Sequence, residues 1–344
     1  MREVDRGSVT PSHADRMLLA HLGPRAGIGS AWRQRRSGSV RNTRDTVIIL
    51  PMRVYVTGAS GFIGSHVARE LREQGAEVRD EFVELADRAG LEQAVAGCDA
   101  VVHVAALYSF DDPAEELERV NVEGTRNVLA ACAARGVRRL VHTSSSGTCG
   151  PVPGRVATEL DSPPVWEVSV PYKRTKLAAE HLVLAAARGD LDAVVVNPTT
   201  PVGDGDTRPT PTGRMIQGVA RGRYRAFIDI GLNVVDVRDV ARGHALALEH
   251  GRRGERYILG GANLPLEELF GAVCALAGRS RPRLRIPYAA VRLGALVGAV
   301  NRHEARLARV PAYFSSEKAR RELGYRPGPV EPALARAVAE ASAG

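Results

Sequence analysis

Tyr172 and Lys176 stand four residues apart in the run Tyr172-Lys173-Arg174-Thr175-Lys176. Of the 47 lysines and arginines in the chain, only three are lysine. A sequence that writes arginine wherever a plain positive charge will do needs a chemical reason to place an ammonium one helical turn after a tyrosine. On a helix, residues i and i+4 share a face. Lys176 can then lie beneath Tyr172, where its charge favours the phenolate and lowers a pKa otherwise near ~10. A hydride cannot reach or leave a carbon bearing oxygen unless a proton moves on that oxygen. A tyrosine tuned in this way suits that proton transfer.

Such a pair needs elements that hold a hydride carrier beside it. Residues 53–71 supply a β-branched run, Val54 to Thr57, then Gly58, Gly61 and Gly64, then helical periodicity in Ile63, Val67 and Leu71. This reads as strand, glycine turn and helix start. Gly58 permits the tight turn, Gly61 lets backbone approach a pyrophosphate, and Gly64 lets the helix pack closely. The free amides and positive end of that helix attract phosphate. Asp99 to Ala106 is a buried-strand pattern ending in the small residues Ala105 and Ala106, which leave room for a cofactor. A helical stretch opens at Asn121 and runs to Gly136. The strand Arg139 to Thr143 then leads into Ser144-Ser145-Ser146-Gly147-Thr148. Strand and helix alternate throughout, which predicts an α/β fold with a doubly wound parallel sheet.

From about Met52 to about Pro327 the chain resembles the extended short-chain dehydrogenase/reductases of the NAD-dependent epimerase/dehydratase family. The finer likeness is to hopanoid-associated sugar epimerases and dihydroflavonol-4-reductase-like proteins. It is carried by Asn197 to Gly203, Pro209 to Arg214 and Tyr313 to Tyr325. The resemblance implies a Rossmann-type sheet over 52–198 and a smaller, discontinuous substrate lobe over 199–344, with 232–249 returning to the sheet. It implies catalytic roles for Ser145, Tyr172 and Lys176, supported by Asn121. NAD or NADP is the implied cofactor, against Gly58, Ser60, Gly61, Phe62, Ile63 and Gly64. Ala105, Ala106, His103, Pro198 and Thr200 continue the expected cofactor wall, with Tyr172 and Lys176 at the nicotinamide end. His103 and His142 are read as packed strand histidines, not catalytic ones. Tyr108, Ser145, Asn197 and Arg214 are the expected substrate contacts.

One segment departs from the family pattern. Between the first helix and Leu91 the chain offers only Gly75 to Asp87, where the family has two parallel strands and a crossover. Parallel neighbours need a crossover of about a dozen or more residues. Either one strand is absent, or Glu77 to Leu85 is a single strand filling both places, with roughly twenty residues deleted. An acid at the end of the second strand suits the ribose of NAD, and an arginine suits the 2′-phosphate of NADP. Arg79 and Asp80 stand there side by side, and Asp87 resembles the family's adenine-contacting acid, so the choice between the two cofactors stays open. An inactivated, merely nucleotide-binding relative stays open for the same reason.

The net charge of +8 is concentrated at one end. Residues 1–51 hold nine arginines and four acids, leaving +3 for the remainder. The basic balance therefore does not argue for nucleic acid, and residues 1–51 read as a disordered basic extension. Cys98, Cys132, Cys149 and Cys274 have neither metal-ligand nor disulfide-framework spacing. They suit reduced core positions in a cytoplasmic protein that holds no metal. The apolar stretch Tyr288 to Val300 is too short to span a bilayer. The expected partner is a small-molecule substrate, with a homodimer open. Dehydration is disfavoured because Ser146 and Gly147 follow Ser145 where the family's dehydratases carry an acidic pair. Epimerisation and carbonyl reduction remain, with a sugar-derived substrate implied by the finer likeness.

Overall fold

Along the first strand, Val54 and Val56 face one side and Tyr55 the other, and all three are buried. That alternation, repeated by Val194 and Val196 against Ala193 and Val195, gives a sheet covered on both faces. The computed structural model describes residues 52–343. The basic extension expected over 1–51 lies outside them.

The first half of the chain forms β1 (Arg53–Thr57), α1 (Phe62–Glu73), β2 (Glu77–Arg79), α2 (Arg88–Ala94), β3 (Ala100–His103) and α3 (Ala114–Glu118). It continues through α4 (Gly124–Arg135), β4 (Arg139–Thr143), α5 (Val165–Val168), α6 (Pro171–Ala186) and β5 (Asp192–Pro198). A π-helical turn, Arg119–Glu123, joins α3 to α4. The second half forms β6 (Thr200–Val202), α7 (Pro211–Ala220), β7 (Ala226–Ile228), β8 (Gly231–Asp236), α8 (Val237–His250) and β9 (Arg256–Leu259). It ends with β10 (Ala262–Pro265), α9 (Leu266–Leu276), β11 (Leu284–Ile286), α10 (Tyr288–Leu296), α11 (Arg302–Leu307), α12 (Glu317–Leu323) and α13 (Glu331–Ala343).

Six strands build the main sheet in the order β2-β1-β3-β4-β5-β9, all parallel. Helices α1, α8 and α12 cover one face, and α2, α4 and α6 the other. Arg139 fastens α8 to this sheet from within β4. Its buried guanidinium donates to the carbonyls of Ala247, Leu248 and Gly251 at 2.5, 3.0 and 2.9 Å and pairs with Asp192 at 2.7 Å. A cation at the last carbonyls of a helix meets the negative end of its dipole.

Of the two arrangements left open for the short segment after α1, one strand being absent fits: the segment holds a single three-residue strand, and β2 is the edge of the sheet. One expectation is corrected. Of the stretch 232–249 expected to return to the main sheet, the strand at its start does not. As β8 it pairs with β10 and β6 in a separate three-stranded sheet. Only the helix that follows, α8, packs back against α1. The small lobe gathers β7, β8, α7, α9 and α13 around Ile216, Phe227, Leu269, Phe270 and Leu334.

Candidate active site

The carboxyl ends of β1, β3, β4 and β5 open into one cleft of about 920 Å³ that continues under the small lobe. At the β1 end the chain turns at Gly58 with φ of 69°, a left-handed backbone that favours glycine. A Cβ there would stand 2.7 Å from the Ala105 Cα, and one on Gly64 would stand 2.0 Å from the Gly58 carbonyl oxygen. Thr57 ties the two strand ends together, its Oγ1 accepting from the amides of Val104 and Ala105 at 3.1 and 3.0 Å. Helix α1 starts at Gly61 without a side-chain cap. Its first amides therefore face the cleft free for an anion, and this cradle fits the pyrophosphate of a dinucleotide. Gly58, Ser60, Gly61, Phe62, Ile63, Gly64, Ala105, Ala106, Pro198 and Thr200 all line the cleft.

At the β4 end, Ser145, Tyr172 and Lys176 come to one wall. Pro171 opens α6, where its missing N–H costs nothing, and this sets Tyr172 in the first turn with Lys176 one turn below. The Lys176 ammonium donates to the Thr143 carbonyl at 2.6 Å. Burial lowers its pKa to about 8, against the opposing charge of Glu180. Burial also raises the Tyr172 phenol above its ordinary value, Tyr108 adds to the rise, and a hydrogen bond with the Ser145 side chain opposes it. The expected lowering of the phenol by Lys176 is not met: desolvation dominates at Tyr172, and the ammonium is turned to the Thr143 carbonyl.

Behind this wall lies a carboxylate that the sequence reading passed over. Glu180 is fully buried on α6, four residues beyond Lys176. It accepts from Ser144 Oγ at 2.5 Å, Thr148 Oγ1 at 2.6 Å and Asn197 Nδ2 at 2.8 Å, and pairs with Arg256 at 2.9 Å. The Tyr172-Lys176-Glu180 spacing of four was the available signal. Asn197, expected at the substrate, is part of this network. It is fully buried, donates to the Ser145 carbonyl at 3.1 Å and does not line the cleft. Asn121 is likewise behind the wall. Its side chain accepts from the Leu107 amide at 2.8 Å and donates to the Leu107 carbonyl at 3.0 Å and to Thr175 at 3.1 Å. It thereby joins the π-helical turn to α6 and to the strand end that carries Tyr108.

Three further expected cofactor contacts lie off the cleft wall. His103 is held between Thr57 and Thr125 at 2.8 and 3.0 Å, with its pKa lowered to about 3 by burial. It is a packed strand histidine, as is buried His142, whose ring lies 5.2 Å from it. Arg79 is turned to the Ala96 carbonyl and to Glu81. Asp87 caps α2 by accepting from the Gly90 amide at 2.9 Å. Phe82, Glu84 and Leu85 supply the wall there instead.

Tyr108 and Arg214 do line the cleft, and so do Lys173 and Glu167, which pair at 3.2 Å. Lys318, the third lysine, donates to Glu255 and to the Arg256 carbonyl at 2.6 and 2.8 Å. No group of His, Cys, Asp and Glu able to hold a metal occurs among the described residues. No helix among them is long and apolar enough to cross a membrane.

A family model described as the NAD dependent epimerase/dehydratase family matches residues 54–260, more than half of the chain. The chain belongs to that family. It is 36% identical over 318 residues to a putative dihydroflavonol 4-reductase of Synechocystis sp., covering 83% of this chain and 93% of that one. It is 35% identical over 321 residues to sterol demethylase protein B of Methylococcus capsulatus, covering 84% and 98%. Among solved structures it is similar to the UDP-glucose 4-epimerase of Thermus thermophilus in complex with NAD, with 26% identity, a TM-score of 0.70, and 85% and 99% of the two chains covered. This family member is an NAD(P)-dependent enzyme of the extended short-chain dehydrogenase/reductase type, and its cofactor is NAD or NADP.

Proposed function

We propose that the enzyme interconverts a secondary alcohol and its ketone by hydride transfer, with Tyr172 as general acid/base. The observation that carries this reading is the meeting of Ser145, Tyr172 and Lys176 on one wall of the cleft that the glycine turn opens. Gly58, Gly61 and the first amides of α1 hold the cofactor pyrophosphate, and Pro198 and Thr200 border the nicotinamide end. The bound NAD or NADP supplies or takes up the hydride. In the reducing direction the Tyr172 phenol gives its proton to the ketone oxygen as that oxygen becomes a hydroxyl, and in the oxidising direction it takes the proton back. The Ser145 hydroxyl donates to the same oxygen and polarises it. The Lys176 charge stabilises the phenolate left behind, and Glu180, fixed by Arg256, holds the Ser144–Thr148 turn in place. In keeping with this reading, the four buried free cysteines suit a cytoplasmic enzyme, and we take it as a homodimer, which a light-scattering mass would test.

Carbonyl reduction is favoured by the Synechocystis relative. Sugar epimerisation, the second reading, is favoured by the likeness to the Thermus epimerase. Titration of residues 52–344 with NAD and NADP, followed by turnover of the wild type and Tyr172→Phe, tests the proposal. Binding of one cofactor with turnover lost only in the variant supports it. Binding without turnover on any ketone, alcohol or sugar leaves a nucleotide-binding protein and defeats it.

A further inference from the structure

The substrate end of the cleft has a chemistry of its own. Beyond Tyr172 its wall is built from Phe227 on β7, Ile286 on β11, Phe270 on α9 and Leu307 on α11, with Ile230 and Phe314 from adjoining loops. The charged side chains there are Lys173, Arg214, Glu167 and Glu304, two of each sign. Lys173 is already paired with buried Glu167 at 3.2 Å. Arg214 donates to the Pro209 carbonyl at 3.0 Å and shares the wall with Glu304. A sugar carried on a nucleoside diphosphate brings two negative phosphates, which need unpaired cations or amides in the pocket. The charges lining this end sum to zero, and Lys173 is already held in an ion pair. The whole cleft, at about 920 Å³, is near the upper limit of the ~300–1,000 Å³ usual for one ligand, so a second molecule fits beside a cofactor.

We infer that the substrate is an uncharged, largely apolar ketone or secondary alcohol whose hydrocarbon body fills the small-lobe chamber, and not a nucleotide-linked sugar. The orientation of its oxygen towards Ser145 and Tyr172 rests on the hydride-transfer reading; the chemical class of its body rests on the chamber alone.

The test uses the cofactor-loaded Tyr172→Phe protein, so that binding is read without turnover. It is titrated calorimetrically with 2-alkylcyclohexanones of increasing chain length and with UDP-glucose. Affinity is expected to rise about fourfold per methylene until the chamber is full. Ile230→Asn and Leu307→Ser, at half-buried positions in the β7–β8 loop and on α11, should each weaken the longer ketones about tenfold without altering cofactor affinity. UDP-glucose binding tighter than every ketone, a flat response to chain length, or no ketone binding at all would each overturn the inference. Ketone binding with the expected slope, but no reduction by the wild-type enzyme, upholds the substrate class and removes the hydride-transfer reading.

Discussion

The ring of Tyr108 lies against the ring of Tyr172, with centroids 4.6 Å apart and planes inclined by 35°. Phe110 completes the group, edge-on to both at 5.6 and 6.0 Å. Tyr108 keeps 39% of its surface open towards the cleft, yet its own phenol is pushed up to about 12 by desolvation. An aromatic lid of this kind keeps water from the proton donor and raises its pKa. Tyr108→Ala should therefore bring the Tyr172 titration to lower pH. Difference absorbance of tyrosinate against the Tyr108→Ala/Tyr172→Phe double variant would measure it, and an unmoved titration would remove Tyr108 from the argument.

Removing the phenolic hydroxyl with Tyr172→Phe should lower turnover by about 10²–10⁴-fold, the usual contribution of a positioned acid/base. Cofactor affinity should stay within about threefold of wild type, because the ring itself is kept. Steady-state rates beside a cofactor titration decide whether both halves of this expectation hold.

Lys176 carries a pH signature of its own. Its folded pKa of about 8 lies below the ordinary 10.5, so between these values the unfolded chain binds more protons than the native one. Stability must then rise with pH across that window, and below pH 8 the full penalty of the buried charge is present. Relative to Lys176→Met, the wild type should gain on the order of 3 kcal/mol from pH 8 to 10.5. Urea unfolding of both proteins across the window gives the difference directly.

Buried Glu180 pairs at 2.9 Å with partly buried Arg256, which also donates to the Glu159 and Asp161 carbonyls. Glu180→Gln should cost about 3–5 kcal/mol, since the Arg256 charge is left without its partner. The double variant Glu180→Gln/Arg256→Met should cost less than the sum of the two single changes. Strict additivity would mean that the contact contributes nothing.

Gly61→Ala separates binding from folding. A Cβ there meets only the Gly58 carbonyl oxygen, at 3.2 Å. The fold should survive with a thermal midpoint close to wild type, whereas a methyl group over the phosphate cradle should weaken NAD or NADP about tenfold.

Much of this site was legible because its signals are local. A strand, three glycines and a helix within nineteen residues allow few other arrangements, and a spacing of four on a helix fixes a shared face whatever surrounds it. Asn197 and His103 lie off the cleft, His103 packed as a strand histidine, because both sit near strand ends, where the pleat and the neighbouring helix decide whether a side chain meets the cleft or the core. Asp87 caps α2 because an aspartate before a helix is claimed by the nearest free amide. The raised Tyr172 pKa was hidden for a different reason. Spacing discloses the charge of Lys176, but not the burial of both groups.

The short strand β2 has a consequence for how this protein meets other chains. An outermost strand presents a row of unsatisfied backbone donors and acceptors that a foreign strand can join. Here that row is three residues long, Glu77–Arg79, and is followed at once by exposed ion pairs between Arg72 and Asp80 and between Arg79 and Glu81. Trimming the sheet on this side has therefore left a brief, charged border that resists edge-to-edge assembly. The groups assigned to chemistry hang from β4 and α6, two strands or more inward, so the border can vary among relatives without disturbing them.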